Sequence, residues 1–168
     1  MDIDIKNIDN DNKKLRIEEL LYTNKRVTRE YHELSKIYSD IDIFYNFKKD
    51  LITFIIYVKN NEYKFIMNCD YPFIPPDIYY NNKTYAFFLK MASNRFVNML
   101  MNLTNKSCLC CESFSCRDKW SPCIMLNDVI TEINKNRRYK KCIVINILIN
   151  QIKDKYLIND IDIRSYIF

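Results

Sequence analysis

A chain of 168 residues is long enough for one domain with a sizeable core. Its 48% hydrophobic and 28% charged residues are a globular composition, and no apolar run approaches the length that spans a bilayer, so no membrane partner is expected. The net charge of +5 is spread along the chain, and its one local run, Arg137, Arg138, Lys140 and Lys141, reads as a solvated helix end rather than the aromatic-laced basic stripe of a nucleic-acid binder.

There is no glycine, so turns must draw on Asn, Asp, Pro and Ser, of which Asn and Asp tolerate positive φ best. The abundance of Asn, Ile, Lys and Tyr fits the codon bias of an AT-rich genome, such as that of a protist or a large DNA virus. The polar start Met1-Asp2-Ile3-Asp4 has no signal-peptide character. Seven clustered cysteines without an export signal therefore read as reduced thiols in the cytosol or nucleus, or in a host's cytoplasm if the source is viral. A monomer is expected.

In chain order, residues 1–22 form a polar extension with a short helix from Lys13 to Tyr22, and residues 23–168 form the domain. Val27, Tyr31, Leu34 and Tyr38 recur at helical spacing over 24–38, with Lys25, Arg26, Arg29 and Glu30 outside that stripe. Ile41–Phe47, Leu51–Val58 and Tyr63–Cys69 are rich in β-branched and aromatic residues and separated by short polar turns, which predicts an antiparallel meander. Tyr71-Pro72-Phe73-Ile74-Pro75-Pro76 must leave the sheet, because proline cannot donate to a ladder. Ile78–Tyr80 supplies a fourth strand. Residues 85–103 read as a helical insertion and 104–119 as a cysteine-rich loop. Ser121 and Pro122 have the chemistry of an N-cap and a first helical residue, opening a helix buried through Leu126, Val129, Ile130 and Ile133. The apolar stretch 142–157 predicts a second, buried helix, and residues 160–168 form a terminal element of no clear type. The fold class is α+β: an N-terminal helix, a four-stranded antiparallel meander and C-terminal helices.

The Tyr71–Pro76 turn, the segment Leu109-Cys110-Cys111-Glu112-Ser113-Phe114 and then Trp120-Ser121-Pro122 come in the order found in the ubiquitin-conjugating enzyme family, which the chain resembles over about residues 24–135. The resemblance implies that family's fold and an acyl carrier that accepts ubiquitin, or a similar modifier, from an activating enzyme as a cysteine thioester. The acyl group would then pass to a lysine, with or without a ubiquitin ligase. It aligns Cys110 with the acceptor thiol, with Cys108 as the alternative, and Glu112 with an acidic position. It also puts Phe73 and Ser121-Pro122-Cys123 on the surface that ligases grip, with Lys25, Arg26 and Arg29 facing the activating enzyme or a ligase. The family's His-Pro-Asn is missing. Asn102, eight residues before Cys110, and Asn94, in Ala92-Ser93-Asn94-Arg95-Phe96, are the two candidates for its asparagine.

Other readings stand beside this one. Cys108, Cys111, Cys116 and Cys123 offer four thiols for a structural zinc ion, although no cofactor is required by the acyl-carrier reading. A binding module of the same fold without activity would fit the missing His-Pro-Asn. Trp120 by itself reads as a core residue packed under the loop.

Overall fold

The computed structural model describes residues 24–46, 48–90 and 93–156. The helix expected at 13–22 and the terminal element at 160–168 lie outside them. Helix α1 spans Lys25–Ser35, and the extended Asn24 caps it by accepting a hydrogen bond from the Val27 amide. That bond satisfies an amide the helix itself leaves unpaired. The buried face is Val27, Glu30 and Leu34, so Glu30 stands in the apolar stripe and not outside it as its charge suggested. Tyr38 lies beyond the helix end and donates its hydroxyl to Asn127 at 3.0 Å.

Five antiparallel strands follow in sequence order: β1 (Ile41–Asn46), β2 (Leu51–Val58), β3 (Asn61–Met67), β4 (Asp77–Tyr80) and β5 (Lys83–Thr84). The meander therefore has five strands, not four. Asn81 and Asn82 both take positive φ and fold the two-residue β5 back onto β4. Such a turn is what two asparagines can make where glycine is absent. The tight link from β2 to β3 depends instead on Lys59, at φ 57°. Alternate residues of the sheet (Ile52, Phe54 and Ile56 in β2, Tyr63, Phe65 and Met67 in β3) line one buried face, as the two-residue period of a strand requires.

Helices α2 (Tyr85–Lys90) and α3 (Asn94–Thr104) occupy the expected helical insertion. Ser93 caps α3, and Asn105, in the left-handed conformation, ends it. The last helix, α4, runs unbroken from Leu126 to Tyr156. It begins four residues later than the Ser121-Pro122 chemistry suggested. Ser121 instead opens a turn closed by the Ile124 amide at 2.9 Å, and the Ile124 carbonyl accepts from the Arg26 guanidinium at 2.6 Å. The Asp128 carboxylate reaches back to the Met125 amide at 2.8 Å, three residues before it, as a capping acid does. Leu126, Val129, Ile130 and Ile133 are fully buried, as their spacing predicted.

The expected buried helix over 142–157 is the far half of α4, and most of its apolar residues are not buried. Ile143 is in the core, but Val144, Leu148 and Ile152 are exposed. A helix of 31 residues extends about 46 Å, well beyond the length of β2, the longest strand at eight residues. No helix among the described residues is long and apolar enough to cross a membrane.

One buried carboxylate joins these parts. Glu30 accepts from the Tyr71 hydroxyl at 2.5 Å and from the Leu126 amide at 3.0 Å, and pairs with Arg26 at 2.7 Å. Burial, reinforced by the Glu30 charge, pushes the Tyr71 phenol well above its ordinary range. Removing one partner of a buried pair leaves the other charge uncompensated, at a cost of roughly 3–5 kcal/mol, whereas one hydrogen bond to a charged group is worth about 1.5–3 kcal/mol. Glu30→Ala should therefore shift the urea unfolding midpoint about twice as far as Tyr71→Phe. Equal shifts would mean that Glu30 is not the hub.

Candidate functional site

The two proline-containing motifs, far apart in sequence, are in contact. The Trp120 indole donates to the Pro72 carbonyl at 2.6 Å, and the Trp120 and Tyr71 rings lie 6.1 Å apart. The Tyr71–Pro72 peptide is cis, and the Phe73 and Ile74 amides both donate to the Asp70 carbonyl. Trp120 is buried, as the core reading expected. Phe73 is 79% exposed. Pro122 and Cys123 are exposed and Ser121 half-buried on the adjoining loop. Of the basic residues on α1, Lys25 and Arg29 face solvent, whereas Arg26 is committed to Glu30 and the Ile124 carbonyl and lies over the Tyr71 ring.

Between α3 and α4 the chain forms a series of turns. The Glu112 amide donates to the Cys108 carbonyl, the Ser113 amide to Cys110, the Cys116 amide to Ser113, and the Lys119 and Trp120 amides to Cys116. Leu109 and Ser113 are buried and fix the middle of the loop to the core. The loop is tied to α4 through Glu132, whose carboxylate accepts from the Phe114 amide at 2.9 Å and pairs with Lys106 at 3.1 Å. Lys106 also donates to the Glu112 carbonyl at 2.8 Å. Sequence reasoning missed Lys106 and Glu132. Their only trace is that each stands close to an apolar run. A cavity of about 360 Å³ opens between this side of the loop and α4, bordered by Glu112, Glu132 and Lys135.

The turns bring three thiols together. The Cys108 and Cys110 sulfurs are 3.3 Å apart, those of Cys110 and Cys111 are 3.9 Å apart, and all three lie within 4.8 Å of one another. Cys108 and Cys110 are half-buried and Cys111 is exposed. All seven cysteines are free thiols. The Cys111 amide, the Cys110 and Cys111 thiols and the Cys110 amide hold Cys108 down to about 7, while hydrogen bonds from Cys111 to Cys108 and Cys110 push Cys111 up to about 12. A thiolate stabilised by amide dipoles is nucleophilic at neutral pH and is also a good ligand for a soft metal ion. The cysteines close enough together to hold a metal ion are Cys108, Cys110 and Cys111, not the quartet predicted from spacing. Cys116 and Cys123 do not join them, because each is carried off by its own turn.

Glu112 is the clasp of this loop. Its carboxylate accepts from the Ser107 amide at 2.8 Å, the Ser107 hydroxyl at 2.6 Å and the Cys108 amide at 3.3 Å. Those donors, Ser107 foremost, hold it below the usual carboxylate range. It positions Cys108 and stays ionised. Asn94 and Asn102 are both exposed, at opposite ends of α3 and about 12 Å apart along its axis, so one loop atom cannot use both. Asn102 is in the turn that leads into the cysteine loop, and its carbonyl accepts from the Asn105 amide.

No family model, curated protein or solved structure matches the chain.

The sulfur arrangement sets an order of reactivity. In chelator-treated protein, iodoacetamide should label Cys108 with a half-maximal rate near its value of about 7, and should leave Cys111, at about 12, unlabelled at neutral pH, as site-resolved mass spectrometry would read. Faster labelling of Cys111 would contradict the arrangement of amides around Cys108.

Proposed function

We propose that the chain is a ubiquitin-conjugating transferase that carries ubiquitin, or a similar modifier, as a thioester on the Cys108–Cys110 pair. The observation that carries this reading is the pairing of two close thiols, 3.3 Å apart, with two loops joined by the Trp120–Pro72 hydrogen bond. The first supplies a nucleophile. The second holds an exposed aromatic, Phe73, beside Pro122 and Cys123 on a braced surface suited to a ligase.

In the first step a thiolate of the pair attacks the carbonyl carbon of the activating enzyme's thioester. A carbon–sulfur bond forms, the old one breaks, and the activating enzyme's thiolate leaves. The exchange is close to isoenergetic, so a reachable thiolate and correct positioning do most of what is needed. In the second step the neutral amine of a lysine attacks the new thioester, sheds its proton to solvent, and expels the carrier's thiolate. The amide environment supports Cys108 as the first thiolate, whereas the motif alignment supports Cys110. Glu112 acts by holding the loop. Asn102 is the better-placed candidate for steadying the second step, because its helix turn feeds the loop.

A second reading, a structural zinc ion, is supported by the three converging sulfurs. Cys108, Cys110 and Cys111 would supply three of the four ligands of a tetrahedral site. Zinc held there would occupy the thiols that charging requires, so the two readings oppose one another in this loop.

Charging with activating enzyme, ATP and ubiquitin, followed on non-reducing gels, tests the proposal. A thiol-sensitive band should form with the wild type and disappear in either Cys110→Ala or Cys108→Ala, and the variant that loses it identifies the acceptor. No band from folded protein, together with one equivalent of zinc that Cys111→Ser releases, would replace the transferase with the structural site.

A further inference from the structure

A second cavity, of about 450 Å³, lies on the far half of α4, where Phe88 and Phe96 meet Val144 and Ile145. The rest of its lining is Arg137, Lys140 and Lys141, and no carboxylate contributes. The Lys140 ammonium donates to the Phe88 carbonyl and sits 4.1 Å from the centre of the Phe88 ring. Arg137 donates to the Tyr80 hydroxyl at 3.4 Å, and among the described residues its buried Nε has no hydrogen-bond partner. Among the described residues, none of the three cations forms an ion pair. Desolvation pulls Lys140 below the ordinary lysine range, and a nearby carboxylate would reverse that. From Val144 the apolar surface continues in steps of four to Leu148 and Ile152, exposed by 46%, 51% and 49% respectively.

We propose that this groove is the docking site for an acidic amphipathic helix of a partner protein. The argument is charge complementarity. An apolar floor edged by three cations that no carboxylate among the described residues pairs with calls for apolar side chains flanked by carboxylates. A second copy of this chain would bring the same cations against their equivalents, and like charges facing each other across an interface are unfavourable. A bilayer is flat, whereas this surface is concave and sized for side chains. The stripe from Val144 to Ile152 is about 12 Å long, so the partner helix would engage over about two turns. Groove and thiol loop are separate surfaces, and docking does not depend on acyl transfer.

Fluorescence anisotropy of the full chain with two labelled synthetic helices tests this. Both helices carry leucines at helical spacing, one with glutamates and the other with lysines on the flanks. The glutamate helix should bind roughly ten-fold or more tightly than the lysine helix and weaken as salt rises. Lys141→Glu and Leu148→Ser should each weaken it by roughly ten-fold, with far-UV circular dichroism and Cys108 labelling unchanged. Equal binding of the two helices, or no binding by folded protein, would overturn the proposal. So would self-association abolished by Leu148→Ser, which would make a second copy the occupant, or a preference for phosphatidylserine vesicles over the glutamate helix.

Discussion

A single carboxylate in the interior sets the relation between the parts of this molecule. Glu30 has no exposure to water, and its charge is balanced by Arg26, the Tyr71 hydroxyl and the Leu126 amide. These come from the first helix, the proline turn and the start of the last helix. Each is needed by the other two, because an unmatched ion in a protein interior is costly enough to consume much of a domain's net stability. The loop that carries Phe73 and the loop that carries Pro122 are therefore registered against one another through a point neither contains. The Trp120–Pro72 bond completes the brace above it.

The thiol loop follows a different logic. Few of its side chains enter the core, and its shape comes from consecutive turns clamped at the sides, by Glu112 on Ser107 and Cys108 and by Glu132 on Phe114 and Lys106. The Cys111 and Cys110 amides and the two neighbouring thiols therefore support the sulfur of Cys108, and its reactivity depends on main-chain geometry together with those thiols. Such a site can accept side-chain changes elsewhere in the loop as long as its clamps and the neighbouring thiols remain.

Much of the architecture was legible in the sequence because its signals are local. The β-branched and aromatic run Leu51–Val58 marks a strand whatever surrounds it, and Leu126, Val129, Ile130 and Ile133 mark a helix face. Where the reading failed, a distant partner decided the outcome. Ser121-Pro122 has ideal chemistry for a helix start, but Arg26 takes the Ile124 carbonyl from 98 residues away. Glu30 looked like surface because only Arg26 lies near it in sequence, while Tyr71 and Leu126 come from 41 and 96 residues away. The far half of α4 is apolar enough to be buried, but apolarity carries no information about where the sheet beneath it ends. In the candidate site, the Cys108-x-x-Cys111 spacing did identify two residues that meet. A turn substituted Cys110 for the two thiols expected from further along the chain.

The lack of glycine has a consequence for how the molecule moves. Asp50, Lys59, Asn81, Asn82 and Asn105 all hold positive φ, which costs an ordinary residue on the order of 1 kcal/mol, somewhat less for Asn or Asp. Four of the five sit at hairpin tips, where few contacts repay the strain. Local opening should thus begin at the tips and spread inward, leaving the Glu30 brace protected longest against hydrogen exchange. The same positions are a reserve: a lineage free to place glycine at Lys59 could relieve steric strain there without altering a core contact.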